Sequence, residues 1–401
     1  MSQLDKSKLK VAISCLCDVT YVTRFHRNVK TLKDIGLQVR CFSVKPRGTD
    51  NSRTFEGVLI DGWTRRFRHK IFGPLRQFEV VLRFLFAIIK YKPDILYAHN
   101  VPALLISYIA TCLLGKGKRV LIYDAMELEC ARISSTYPLI PFWLRNFQKL
   151  FLEKTLTKKV DLVTSADYAR TEFMKKRLGR NEILTCRNVP VFKEIKSKKL
   201  LRKHLKLPED TFVFLYQGLI GTGRGIEQGI RSLKGLPDKI VFVVMGMSAE
   251  RYIESLIQLA EAETVSKRVF FLPPVPSNEL LEWTASADVV HSLIENACLS
   301  YYLAAPNKLY EAAMAGVPVI ASCFPEMEAV LKKHSYGILV APDSVDQIRN
   351  ALLTLYKNDD SIIEKFRDNA LSAARSELNW EMESRPLRKQ IIEIISKIPQ
   401  S

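Results

Sequence analysis

Short apolar runs recur along the chain, most of them followed by a stretch in which apolar positions return at helical spacing. Residues 9–16, 36–44, 92–100, 119–127, 160–165 and 183–190 form a first series, and residues 212–218, 239–246, 269–276 and 287–293 a second. Runs rich in Val and Ile that do not alternate with polar residues predict strands covered on both faces, as in a parallel sheet. Residues 24–35, 78–89 and 168–178 read as intervening helices, so the rhythm is strand, helix, strand: a doubly wound α/β sheet, met twice. Between the two series, residues 193–206 are dense in charge and poor in large apolar clusters, which predicts a linker.

One stretch carries more than periodicity. In residues 305–325, Pro306 and Asn307 suit a helix start, Leu309, Ala312 and Ala313 recur at helical spacing, Gly316 suits the position just past the last turn, and Pro318 forbids continuation. Residues 317–322 then read as a central strand. The free N–H groups of such a helix start favour an anion. Glu311, one turn on, is placed to accept from sugar hydroxyls. It reads as an acid at the surface of a cleft, whose loss leaves the fold intact. Upstream, Gly221, Gly223 and Arg224 lie in a glycine-rich turn into a helix, where backbone can approach phosphate oxygens and a guanidinium can grip them. Together these elements imply a nucleotide diphosphate.

Pro306-Asn307-Lys308-Leu309-Tyr310-Glu311 with Ala315-Gly316-Val317-Pro318-Val319-Ile320 resembles the nucleotide-sugar motif of retaining glycosyltransferases of family four, of the bacterial polysaccharide type, which have the GT-B fold. The resemblance runs in order along nearly the whole chain. It implies two Rossmann-like doubly wound parallel-sheet domains facing across a cleft. They would be an acceptor domain at residues 1–192, a linker at 193–206, a nucleotide-sugar domain at 207–378, and a terminal helix at 379–401 crossing back to the first domain. It also implies that Glu311 binds the donor ribose, that Gly221, Gly223, Arg224, Asn307, Lys308 and Leu309 hold the nucleotide and its diphosphate, and that Val275 lies against the base. Relatives often carry a second Glu eight positions before Glu311, where this chain has Leu303, and a second base where it has Leu219; Lys308 can supply that base. At the second N-domain strand of the cleft they commonly have a His where this chain has Met126, leaving His99, Asp124 and Glu127 as substitutes for it. Arg224 and Lys308, with His99 and Glu127, are the catalytic candidates.

Composition changes the picture in one respect. With 401 residues, 47% of them hydrophobic, the chain can bury two cores. Its net charge of +18 is placed unevenly: residues 1–200 hold 38 Lys and Arg against 17 Asp and Glu, while residues 201–401 are slightly acidic. The excess implies an anionic partner for the first half. Trp63 and Phe67 interleaved with Arg65, Arg66, Arg68 and Lys70, and Trp143 and Phe147 in residues 141–152, favour an anionic membrane surface over nucleic acid. Residues 1–10 are polar and no apolar run is long enough to span a bilayer, which predicts a cytoplasmic protein, peripheral on the inner face of the membrane. The eight cysteines form no CxxC pair and read as reduced core residues.

The expected activity is therefore metal-independent transfer of a hexose-type sugar, with retention, from a nucleotide diphosphate sugar to a glycan or lipid-linked acceptor in cell-surface polysaccharide or glycoconjugate synthesis. No cofactor and no metal are expected: the chain has no Asp-x-Asp pair, and bases with a helix start take a metal's place. A nucleotide-sugar epimerase or hydrolase on the same fold would use the same nucleotide site without needing a basic, aromatic first half. A nucleic-acid-binding protein would account for the charge but not for the motif.

Overall fold

A computed structural model describes residues 6–19, 22–44, 52–55, 57–63, 73–115, 119–128, 142–195, 199–357 and 361–398. Two compact units divide the chain: residues 1–187 together with 384–401, and residues 188–383.

The first unit is built on strands β1 (Lys10–Cys15), β2 (Gln38–Val44), β3 (Ser52–Phe55), β4 (Val58–Trp63), β5 (Ile95–Ala98), β6 (Val120–Ala125), β7 (Leu162–Ser165) and β8 (Leu184–Thr185), in the order β3-β4-β2-β1-β5-β6-β7-β8. All neighbours pair in parallel except β3, which turns back antiparallel on β4. The β3–β4 hairpin was not anticipated. β5, β6 and β7 are buried throughout, in keeping with apolar runs that do not alternate. Chain order reverses between β1 and β5, and the carboxyl ends of two such strands form the crevice of a doubly wound sheet.

The second unit carries β9 (Phe212–Gln217), β10 (Ile240–Met245), β11 (Val269–Leu272), β12 (Val289–Ser292), β13 (Val319–Ser322) and β14 (Gly337–Val340), all parallel, in the order β11-β10-β9-β12-β13-β14. Its reversal lies between β9 and β12, so the loops after these two strands are where a ligand belongs. Phe214, Phe242, Val244, Ile226, Ile230 and Ile320 belong to the core on this sheet.

Two boundaries differ from expectation. The units divide at Arg187 and Asn188, and much of the segment expected to be a linker is packed into the second unit. Helix Leu200–Leu205 buries Leu201 completely, and Arg202 bonds the carbonyls of Thr211 and Ser286 and the carboxylate of Asp288. The apolar residues that charge had masked decide the matter. The terminal helix Trp380–Ile395 begins in the second unit, where Trp380 N–H donates to the Pro190 carbonyl at 2.8 Å. From Ser384 it belongs to the first, where Arg388 pairs with Asp34 at 2.8 Å. The aromatic and basic residues 64–70, and the side chains of Trp63, Trp143 and Phe147, lie outside the described residues. Among those described, no helix is long and apolar enough to cross a membrane.

Candidate functional site

The helix Asn307–Ala315 runs from after β12 to β13 and begins and ends as its sequence requires. Pro306, extended at φ −71° and ψ 148°, stands before the first turn, and Gly316 closes the last with φ 65°, in the left-handed region that a side chain disfavours. Every residue from Lys308 to Ala315 is buried, so the helix is a core element. Two charged side chains go down with it.

Glu311 is 8% exposed and accepts a 2.7 Å hydrogen bond from Gln217 Nε2, at the end of β9. This corrects the expectation of a surface acid: removing its carboxyl would strand a buried amide, so the fold bears on it too. Lys308 is 6% exposed, and its Nζ finds no hydrogen-bond partner among the described residues. The ammonium lies 3.5 Å from the centre of the Tyr216 ring. Burial, and then the nearby Arg224 guanidinium, push the lysine well below its usual range, with Glu311 acting in the opposite direction. A buried lysine without an acceptor among the described residues, beside a second cation and at a helix start, is a position that a bound anion would relieve.

Arg224 enters from the loop after β9. Its guanidinium carbon is 4.9 Å from the Tyr301 ring centre, and a Cβ on Gly223 would meet the same ring at 3.1 Å. The loop is tied down twice. Glu295 N–H donates to the Gly223 carbonyl at 3.1 Å, and His291 Nε2 lies 2.8 Å from the Gly225 carbonyl. Leu293 N–H faces His291 Nδ1 at 3.4 Å, so Nε2 carries the proton and donates. Burial and the charge of Lys308 lower this histidine's pKa to about 3, although the bond to Gly225 opposes them, and it stays neutral. Gly225 is required by its φ of 68° and because a Cβ there would lie 2.8 Å from the Leu293 Cβ.

Of the residues expected at the donor site, the structure therefore gathers Gly223, Arg224, Asn307, Lys308, Leu309 and Glu311 around the ends of β9 and β12. Leu309 is wholly buried and serves the core. Asn307 Oδ1 accepts from Asn188 Nδ2 at 2.6 Å. Gly221 lies in the same loop, with open space where a Cβ would stand. Val275 is half-buried in the loop after the edge strand β11, two strands from β9.

The candidates in the first unit are arranged differently. Asp124, completely buried in β6, accepts from Arg24 Nε at 2.8 Å and Nη2 at 2.7 Å, from Asn28 Nδ2 at 2.8 Å and from Thr164 Oγ1 at 2.7 Å. Burial opposes its charge, but Arg24 and then His99 hold it well below the usual carboxylate range. His99, directly after β5, puts Nδ1 3.2 Å from Asp124 Oδ2 and lies between the Phe25 and Tyr97 rings. It is 1% exposed, and its pKa is lowered chiefly by burial. Asp124 is thereby committed to an internal network, and His99 is enclosed with it. Glu127 is exposed beyond the end of β6, and Met126, half-buried, lends its carbonyl to Arg170 at 3.0 Å.

Gln217, Tyr301, His291 and Arg24 were given no role beforehand. Gln217 left a sequence signal: it is the polar residue that closes an otherwise apolar strand.

Residues 197–376 match the family model described as glycosyl transferases group 1. Over 153 residues the chain is 31% identical to the D-inositol 3-phosphate glycosyltransferase of Xylanimonas cellulosilytica, an overlap of 38% of this chain and 35% of that protein. It spans 35% and 42% of the lengths of the first two curated relatives it matches. Sucrose-phosphate synthase from Thermosynechococcus elongatus superposes with a TM-score of 0.79 at 17% identity, over 97% of this chain and 100% of that one. HepE of Anabaena, solved in complex with UDP and glucose, superposes with a TM-score of 0.74 at 17% identity, over 97% and 99%. Two Rossmann-like parallel-sheet units with these neighbours establish the GT-B fold. Within it, residues 197–376, which hold Arg224, Lys308 and Glu311 at the carboxyl edge of the second sheet, are the segment that resembles the glycosyl transferases of group 1.

Proposed function

We propose that the protein is a glycosyltransferase that takes a sugar from a nucleotide diphosphate sugar and passes it, with retention of anomeric configuration, to a glycan or lipid-linked acceptor. The observation that carries this reading is Lys308: a lysine buried without an acceptor among the described residues, beside Arg224 and three residues before Glu311. The diphosphate supplies the missing anion, and Glu311 accepts from the ribose. As the bond between the anomeric carbon and the diphosphate oxygen breaks, charge grows on the leaving group. Arg224 and Lys308 meet it there, the kind of electrostatic stabilisation that usually contributes most to catalysis. In this reading two bases and a helix start do the work of a metal, so turnover survives chelation. HepE was solved with UDP, which makes uridine diphosphate sugars the first donors to test.

The acceptor reading, peripheral on an anionic membrane, rests on the basic excess of residues 1–200. Cosedimentation with anionic vesicles at low and high salt tests it, and protein that stays in the supernatant at low salt contradicts it. For the donor, a panel of nucleoside diphosphates is measured by thermal stabilisation. A ligand at 100 times its dissociation constant adds about 2.7 kcal/mol. Arg224→Ala is expected to lower kcat about 100-fold or more, far beyond the effect of Met126→Ala, because only the guanidinium meets developing charge. If no nucleotide stabilises the protein, or if Met126→Ala is the more damaging, the chemistry has been misplaced. NMR of the first-formed product reads the anomer.

A further inference from the structure

Two buried side chains from separate elements line up on one buried carboxylate. Thr284, at the end of the helix Leu280–Thr284, is completely buried and has its Oγ1 2.7 Å from Gln217 Oε1. Gln217, 2% exposed at the end of β9, turns its Nε2 to Glu311 Oε2 at 2.7 Å. Thr284 Oγ1 also lies 2.8 Å from the Leu280 carbonyl, so its one proton is shared between two acceptors. An amide oxygen facing a hydroxyl and an amide nitrogen facing a carboxylate fix the amide orientation, because the reverse would set oxygen against oxygen. The chain is therefore directional. Thr284 orients Gln217, and Gln217 holds one oxygen of Glu311.

We infer that Gln217, oriented by Thr284, is a positioning residue that sets the Glu311 carboxylate for the ribose hydroxyls, so that this pair governs discrimination between ribose and sugars lacking those hydroxyls. The inference rests on the donor reading of Glu311 given above. A carboxylate on a side chain with three rotatable bonds accepts well from a diol only if it is held in place. With Gln217 occupying Oε2, the geometry of the remaining lone pairs is fixed by β9 rather than by the helix on which Glu311 sits. Arg224, against the Tyr301 ring, and Lys308, against the Tyr216 ring, which the donor reading assigns to the diphosphate, make no hydrogen bond to Gln217 or to Thr284. Recognition of ribose and recognition of diphosphate should therefore separate on mutation.

Calorimetric titrations of the full chain with uridine, adenosine and guanosine diphosphates, their 2′,3′-dideoxy counterparts, and inorganic pyrophosphate test this. The wild type should prefer ribose about tenfold or more, as expected for a hydrogen bond to a charged group. Gln217→Leu should reduce that preference to roughly threefold or less while pyrophosphate affinity is unchanged. Thr284→Val should give an intermediate loss, and Thr284→Ser, which keeps the hydroxyl, should restore the wild-type ratio. A Gln217→Leu protein that retains the ribose preference overturns the inference. So does one that loses pyrophosphate affinity by the same factor, because the substitution would then act on the whole site. A wild type that binds nucleoside diphosphates without preferring ribose overturns the reading of Glu311 itself, and one that binds none overturns the donor site, so failure of the relay is distinguishable from failure of its premise.

Discussion

The two units bury charge at corresponding places, near the carboxyl ends of central strands, and settle it in opposite ways. In the first, Asp124 receives Arg24, Asn28 and Thr164 and lies beside His99, so the carboxylate and the guanidinium neutralise each other inside the protein. In the second, Lys308 is buried with no hydrogen-bond partner among the described residues and with Arg224 as a neighbouring cation. Burying an ion is tolerable when a partner replaces water, and costly when none does. The difference separates a buried charge that the fold neutralises from one that it leaves without a hydrogen-bond partner among the described residues. By that criterion Arg24 and Asp124 hold the first sheet together, while Lys308 and Arg224 are the cations that the proposed donor reading assigns to an anion.

The comparison breaks most visibly at Asp124. Asp124→Asn keeps the shape but leaves Arg24 buried and uncompensated, and should cost about 3–5 kcal/mol in chemical denaturation. A loss below about 1 kcal/mol would mean that the network contributes little to the first unit.

Lys308→Met should do the reverse. The methionine keeps the volume and removes an unpaired buried charge, so the ligand-free protein should not lose stability and its melting temperature should rise. Affinity for a nucleoside diphosphate should fall about tenfold or more, the effect of losing a hydrogen bond to a charged group. A drop in ligand-free stability together with unchanged affinity would make Lys308 structural and erase the contrast between the units.

The smallest effect is one of pH. His291 titrates near 3 in the folded protein, against 6.5 for an ordinary histidine, so between those values the unfolded chain binds the proton that the folded chain refuses. Stability from this source is complete above about pH 6.5 and is lost as pH falls toward 3, at no more than about 1.4 kcal/mol per pH unit. Denaturation midpoints at pH 7, 5.5 and 4.5 should fall more steeply for the wild type than for His291→Gln, which has no titrating ring. Parallel slopes would show that His291 is not held neutral. Asp124 adds in the same direction at lower pH, since its folded pKa is also depressed.

Much of this was legible from the residues in order. The apolar runs located the strands because a strand covered on both faces has no polar alternation, and the helix at 307–315 was bounded by Pro306 and Gly316, whose backbone preferences act locally. Arg224 and Glu311 could be named from a glycine-rich turn and a helix start, and Lys308 from the resemblance. What failed depended on packing at a distance. Part of the expected linker, Leu200–Leu205, is a helix because Leu201 found a core and Arg202 found Asp288, 86 positions away. The β3–β4 hairpin rests on cross-strand pairing that a short segment does not announce.

The sequence by itself determined most of the elements, their order, and which side chains are candidates for a nucleotide diphosphate, since these follow from local backbone preference, periodicity and residue type. Only the tertiary structure decided that Glu311 is buried and held by Gln217, that Asp124 is spent on Arg24, and that Lys308 is left without an acceptor among the described residues. Whether a buried charge is paired depends on residues brought together from distant elements of the fold, as Asp124 is by Arg24 and Thr164, and no local pattern in the chain encodes that meeting.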